Sequence, residues 1–206
     1  IDVGCGAGLF LEQAALRGWD IQGTEFGQCC VDACRSRNVP IIEGPLDPDN
    51  YEAGAFDVVC SFEVIEHLAD PVAELARFHR ILRPGGLLYV TTPNFDCLAR
   101  RIAPAAWNVA SYPEHLMYFT VPSIDRMMRA AGFRKAWSTT TGFSIYHWKT
   151  GRDHAAPDRK AAMASQEKVR TAMETRPLWR LAKTTANGVL NTLRLGDSLK
   201  VGYIKE

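Results

Sequence analysis

Short apolar runs and helical-period segments take turns along the first half of this chain, and their order predicts an α/β sheet. Ile1-Asp2-Val3 reads as the end of a strand, and residues 9–17 as a helix carrying apolar Leu9, Phe10, Ala14 and Leu16. Residues 19–25 form a second strand, 28–37 a second helix and 40–43 a short third strand. The turn-rich stretch 44–54 follows, with Pro45, Pro48 and Asn50. Residues 56–62, Phe-Asp-Val-Val-Cys-Ser-Phe, are close to continuously apolar, as a central parallel strand covered on both faces must be. Asp70 then supplies an N-cap and Pro71 a first-turn residue for a helix reaching Leu82. Pro84-Gly85-Gly86 turns the chain into a strand over 87–92. Alternation of this kind predicts a doubly wound parallel sheet.

Beyond Pro93 the rhythm changes. Residues 94–113 read as a long connection with a helix near 95–102, and 121–131 as a helix closed by Gly132. Residues 133–141 and 143–148 make one long strand or a bent pair, and 197–205 a terminal strand. Residues 151–176 are charged and Ala-rich without a clear apolar face. Residues 178–195 are amphipathic, with Leu178, Leu181, Ala182, Thr185, Val189 and Leu193 on one side. The expected organisation is a core over 1–150, a helical insertion over 151–195, and a terminal strand over 196–206 that returns to the core sheet.

Composition narrows the function classes. With 206 residues, 47% hydrophobic and 23% charged, the chain suits one α/β domain with an appendage. Its 24 basic residues balance 23 acidic ones, which argues against a polyanion-binding field. No apolar run approaches the roughly 18 to 20 residues of a membrane span, and no signal-peptide pattern is present. The six cysteines show no paired zinc spacing and read as small buried thiols of a reducing compartment, which points to the cytoplasm. The chain begins inside a strand and without Met, so it reads as a fragment that has lost an upstream segment.

The chemistry starts at Asp2-Val3-Gly4-Cys5-Gly6-Ala7-Gly8. Three alternating glycines between a strand and a helix let the backbone approach a ligand, at the carboxyl end of a strand where open α/β sheets bind. The spacing is not the Gly-x-Gly-x-x-Gly of dinucleotide folds. With Gly23-Thr24-Glu25, with 56–68 (Phe-Asp-Val-Val-Cys-Ser-Phe-Glu-Val-Ile-Glu-His-Leu) and with 82–88 (Leu-Arg-Pro-Gly-Gly-Leu-Leu), the loop resembles consecutive motifs of class I S-adenosylmethionine (SAM) methyltransferases, in order. The Ala131-Gly132-Phe133 step resembles that family's late helix-to-strand turn. The nearest branch is the one that includes ubiquinone-biosynthesis O-methyltransferases. The resemblance implies a Rossmann-like, mostly parallel seven-stranded sheet with helices on both faces, here with its first strand truncated and a helical insertion before its last.

It also implies a cofactor set of Asp2, Gly4, Cys5, Gly6, Gly8, Glu25, Phe26, Pro45, Leu46, Phe62 and Glu63. Asp2 and the glycines would surround the methionine half of SAM. Glu25, at the end of the second strand, would accept both ribose hydroxyls. The chain departs from the family at Glu43-Gly44-Pro45-Leu46, where no acid stands to bind the adenine amino group, so backbone groups and Leu46 take that task. Phe62 packs either on the cofactor or in the core.

On the acceptor side, a helix through Glu63-Val64-Ile65-Glu66-His67 would put positions i, i+3 and i+4 on one face. Two carboxylates and an imidazole suit Mg²⁺, Mn²⁺ or Zn²⁺. The run resembles the metal site of ubiquinone-pathway O-methyltransferases and of small-RNA 2′-O-methyltransferases, and that resemblance makes His115 the fourth ligand. Alternatively Glu66-His67 shapes a helix start, and His115 or His67 acts as a general base. Trp107, Tyr112, Tyr118 and Phe119 would wall the acceptor. Eight basic residues against four acidic ones over 152–183 suggest a solvated helix or peripheral contact with a membrane surface. The expected partner is a small-molecule, sugar or lipid-linked acceptor of a methyl group. A small-RNA 2′-O-methyltransferase and a SAM-binding fragment without activity are the alternatives, and the neutral charge weighs against nucleic acid.

Overall fold

The computed structural model describes residues 1–104, 107, 109–142 and 177–206. The expected strand over 143–148 and the charged stretch 151–176 lie outside the described residues. The elements run β1 (Asp2–Val3), α1 (Leu9–Ala15), β2 (Gly23–Glu25), α2 (Gln28–Ser36), β3 (Ile41–Glu43), β4 (Phe56–Phe62), α3 (Pro71–Ile81), β5 (Leu82–Pro93), α4 (Leu98–Ile102), α5 (Val121–Ala130), β6 (Phe133–Thr141), α6 (Pro177–Leu193) and β7 (Ser198–Lys205). Single 3₁₀ turns lie at Pro48–Asn50 and Ile65–His67.

All seven strands join one sheet in the order β3-β2-β1-β4-β5-β7-β6. Asp2 pairs with Gly23 of β2 on one side and Cys60 of β4 on the other, both in parallel. The strand order reverses between β1 and β4, which is where such sheets open a crevice for ligands at their carboxyl ends. The seven-stranded, Rossmann-like sheet expected from the sequence is the one observed.

Several boundaries differ, each for a local reason. β2 holds only Gly23–Glu25, and Trp19, expected inside it, is half exposed. In α1 only Leu11 and Ala14 are buried, whereas Leu9 (62%) and Leu16 (77%) face out. β5 starts at Leu82 rather than Leu87, because Leu82 pairs with Phe56 and the chain between them and the next pair, Val58 with Leu87, bulges through Pro84-Gly85-Gly86. α4 starts at Leu98 rather than near Phe95, because the Asn94 side-chain oxygen accepts from the Asp96 N–H at 3.1 Å and turns the chain first. In α6 Leu190 is buried while Val189 and Leu193 are exposed, so the apolar stripe read from the sequence is not the buried face at this end.

Two compact units emerge, one of Ile1–Thr92, Leu116–Ser138 and Lys200–Glu206, the other of Pro93–His115 and Thr139–Leu199. In the first, α3 is capped by Asp70, which accepts from the Ala73 N–H at 3.0 Å, and it buries Leu75, Phe78 and Ile81. α5 begins with a Thr120/Ser123 capping box and buries Ile124 and Met128. Each such side chain stabilises the fold by roughly 2 kcal/mol relative to exposure. The Tyr203 hydroxyl donates to Asp125 at 2.9 Å, and the Lys205 ammonium donates to the His79 and Leu82 carbonyls, which ties β7 to α5 and to the end of α3.

The second unit relies on side-chain amides. Asn94 donates to the carbonyls of Arg194 and Gly196, while Asn187 and Asn191 of α6 accept from the N–H groups of Gly142 and Thr140. Cys97, Ala99 and Trp107 form its small apolar cluster. Among the described residues no helix is long and apolar enough to cross a membrane.

Candidate functional site

The loop after β1 is built by left-handed glycines. Gly4, Gly6 and Gly8 have φ of +73°, +53° and +75°, values that L side chains with a Cβ adopt only at a cost. The Gly4 and Cys5 N–H groups both donate to the Thr24 carbonyl, at 2.9 and 3.0 Å. The Gly6 N–H donates to Glu25 Oε2 at 2.8 Å. Glu25 Oε1 accepts from the Phe26 and Gly27 N–H groups at 2.8 and 2.9 Å, so one carboxylate organises both the loop and the start of α2. A Cβ at Gly4 would lie 2.5 Å from Val64 Cγ2, and one at Gly8 would lie 2.8 Å from Cys34 Sγ. At Gly6 a Cβ would meet nothing within 4 Å, so this stretch of backbone faces open space.

Asp2 sits just before the loop with 1% of its surface exposed, and its Oδ1 has no hydrogen-bond partner among the described residues. Burial pushes its carboxyl up to about 7, and Glu25 adds to the rise. A buried acid oxygen of this kind is costly unless something bearing a proton or positive charge reaches it. An unpartnered carboxylate oxygen just before a loop with open backbone at Gly6 could take a cationic group of a ligand. A cavity of about 520 Å³ lies elsewhere, at the amino-terminal side of β1 and β4 against Phe10, Trp19 and Phe56, and includes none of the loop glycines.

The Glu63–His67 run corrects the sequence reading. It is not an α-helix: β4 ends at Phe62, Glu63 takes a left-handed φ of +53°, and only Ile65–His67 form a 3₁₀ turn. The Glu63 N–H donates to the Thr91 carbonyl at 3.0 Å, and its Oε1 accepts from the Thr91 hydroxyl at 2.7 Å. Glu66 is 2% exposed, and its Oε2 accepts from the Thr92 hydroxyl at 2.9 Å. Successive strand residues point to opposite faces, so Thr91 and Thr92 draw the two carboxylates apart. Glu63 therefore does not join Glu66 and His67 in one ligand set. His67 is exposed, with Nε2 4.0 Å from Glu66 Oε1. His115 belongs to the second unit, where its Nδ1 is 2.7 Å from the Val109 carbonyl oxygen.

Comparison with known proteins decides the family. A family model described as a methyltransferase domain matches residues 1–138, two thirds of the chain. The chain belongs to the methyltransferase-domain family. A ubiquinone biosynthesis O-methyltransferase of Cereibacter sphaeroides is 32% identical over 152 residues, covering 64% of this chain and 58% of that protein. One of Marinobacter nauticus is 34% identical over 105 residues, covering 46% and 43%. The chain thus spans about half the length of the curated relatives it matches. Among solved structures, a SAM-dependent methyltransferase from Archaeoglobus fulgidus superposes with a TM-score of 0.63 at 16% identity, over 99% of this chain and 84% of that one. A SAM-dependent methyltransferase from Thermotoga maritima, titled a possible histamine N-methyltransferase, gives 0.62 at 17% identity, over 100% and 81%. These likenesses establish the class I, Rossmann-like fold, and membership of the methyltransferase-domain family supports SAM as the cofactor.

The remaining residues expected at the cofactor divide by exposure. In this methyltransferase domain Phe26 is 71% exposed and Pro45 is exposed, whereas Leu46 is 1% exposed and belongs to the core. Phe62 is half-buried between Phe10 and Tyr89, with ring centroids 5.0 and 5.3 Å away. Cys5 is half-buried and burial raises its thiol pKa, as befits a packing residue. Of the expected acceptor walls, Trp107 and Phe119 are buried, while Tyr112 and Tyr118 are exposed. Three contributors to the loop carried no signal in the sequence: Val64, Cys34 and Arg37 reach it from other elements at sequence separations that no motif spacing marks.

Proposed function

We propose that this chain transfers a methyl group from SAM to a hydroxyl of a small-molecule acceptor, free or carried on a lipid. The observation that carries the cofactor half is the buried, unpartnered Asp2 oxygen just before a loop whose backbone is open at Gly6. SAM supplies an electrophilic methyl group on a sulfonium. Asp2 pairs with the ammonium of its amino-acid end, and the glycine backbone lets that end approach closely. A carboxylate has about four acceptor positions, and backbone N–H groups occupy both on Glu25 Oε1 and one on Oε2. Glu25 is left with a single position for a ribose hydroxyl, fewer than the two that its place at the strand end suggests.

The choice of a hydroxyl acceptor is supported by the O-methyltransferase names of the relatives near 30% identity. Methyl transfer needs an aligned acceptor and removal of its proton. His67 follows the Val64 contact with Gly4 by three residues and is exposed, so it is the base in this reading.

The test is calorimetric titration with S-adenosylhomocysteine (SAH), followed by transfer of labelled methyl from SAM to phenols with and without an alkyl tail. Binding of SAH with label on the phenolic oxygen is the expected result. His67→Gln should then cut turnover by about 100-fold and leave SAH affinity unchanged. Absence of SAH binding would overturn the reading, and label on an amine but not a hydroxyl would overturn its acceptor half.

A further inference from the structure

We propose that Arg37 is a positioning residue for the cofactor loop. It stands just past the end of α2, and its guanidinium reaches three separate pieces of chain. Nη2 donates to the Ala7 carbonyl, Nη1 lies 3.5 Å from Glu12 Oε2 in α1, and Nε donates to the Ala33 carbonyl at 3.1 Å. One turn earlier in α2, the Cys34 thiol donates to the Gly6 carbonyl at 3.4 Å. The end of α2 therefore holds two consecutive loop carbonyls.

The consequence follows from the planar trans peptide, in which C=O and the next N–H point in opposite directions. Turning the Gly6 carbonyl toward Cys34 turns the Ala7 N–H away from α2. Turning the Ala7 carbonyl toward Arg37 aims the Gly8 N–H back into the loop, where it donates to the Cys5 carbonyl at 3.0 Å. Both peptide planes of a glycine-rich segment, which would otherwise be soft, are set from behind by one helix end. The three partners are met by three different nitrogens of one planar fork, whereas a lysine ammonium has its three donors on a single nitrogen and cannot span the same separated acceptors. Arg37 thus pre-orders the loop for the amino-acid end of the ligand without touching the ligand itself.

This inference rests on the reading that the loop holds the amino-acid end of SAM, and the experiment separates the two. SAH binding by the unaltered chain is measured first, and its absence overturns that reading. Arg37→Met and Arg37→Lys are then titrated with SAH and with 5′-methylthioadenosine, which lacks the amino-acid end. The expected result for Arg37→Met is SAH binding about tenfold weaker, a loss of about 1.4 kcal/mol, with methylthioadenosine affinity changed less than twofold. Arg37→Lys keeps the Glu12 pair, so it should recover the melting temperature but not the SAH affinity, a split that a merely structural role does not produce. If Arg37→Met does not fold, the Lys variant carries the test alone. Unchanged SAH affinity, or equal weakening of both ligands, would overturn the proposal.

Discussion

The loop after β1 and the turn after β4 use the same left-handed backbone and fill it in opposite ways. After β1 each left-handed position holds a glycine, with φ of +73°, +53° and +75°. After β4 the left-handed position holds Glu63 at +53°, where a non-glycine residue costs roughly 1 to 2 kcal/mol. In the first case the backbone selects the residue. In the second a side chain is kept against the backbone's preference, and the Thr91 hydroxyl that donates to it shows what the carboxylate does locally. The two segments meet where Val64 fills the space that a Cβ at Gly4 would need.

The largest effect should come from closing that contact. Gly4→Ala places a methyl group 2.5 Å from Val64 Cγ2 and forces alanine to φ +73°. Strain and overpacking together should lower the unfolding free energy by about 3 kcal/mol, read by chemical denaturation. Adding Val64→Ala should recover about half, since it makes room but leaves the strain. A double variant no better than the single one would show that the two segments are not joined through this contact.

Next is Asp2→Asn, which should weaken SAH by about 50-fold, because a charge-assisted bond in a buried site is lost. Stability of the ligand-free chain should move the other way. The carboxyl of Asp2 is raised by burial from the usual carboxylate range to about 7. The folded state therefore holds a proton that the unfolded state gives up near pH 4, and this group's contribution to stability falls as pH rises from about 4 to about 7 and is level above. Asparagine removes that slope, so the variant should melt higher than the parent at about pH 8. With Asp2 intact, SAH affinity should tighten about tenfold between about pH 6 and pH 8, as the carboxylate forms. A flat profile would detach Asp2 from the cofactor.

This contrast also explains what could be read in advance. The Gly-x-Gly-x-Gly loop, Glu25 and the apolar Phe56–Phe62 strand were legible because each residue type answers a local demand: a turn without Cβ, an acid at a strand end, a strand covered on both faces. The Glu63–His67 run does not form the helical face that its spacing predicts, because its geometry is set by β5. Thr91 and Thr92 point to opposite faces of the sheet, and no local spacing in the run encodes that. Arg37 and Cys34 were invisible for the same reason, since they act on the loop through its carbonyls, which have no sequence. Leu46, expected at the adenine, turned out to be core: a lone leucine after a strand looks the same in either place.

A smaller effect is expected at Glu66. Its carboxylate is buried and accepts from the Thr92 hydroxyl, while its backbone carbonyl accepts from the N–H groups of Leu116 and Met117. Glu66→Ala leaves that hydroxyl without its acceptor and should cost about 2 kcal/mol of stability. Glu66→Gln keeps an acceptor oxygen and should cost under about 1 kcal/mol. A loss of turnover in the Gln variant at unchanged stability would move Glu66 from scaffold to chemistry.

The smallest change in stability, and the sharpest for the comparison, is Glu63→Gly. Glycine relieves the left-handed strain, worth roughly 1 to 2 kcal/mol, but removes the acceptor of the Thr91 hydroxyl, worth roughly 1 kcal/mol, and adds roughly 0.5 kcal/mol of unfolded-chain entropy. These should cancel to within about 0.5 kcal/mol in denaturant unfolding. If Glu63 were there for the fold, glycine would serve about as well, as it does three times in the neighbouring loop. Strained positions that persist with a polar residue cluster at functional sites, so the side chain's reason should appear in binding: SAH or acceptor affinity should fall about fivefold while stability stays put. Equal stability together with equal affinity would leave Glu63 as nothing more than a tolerated residue at a turn that glycine could fill.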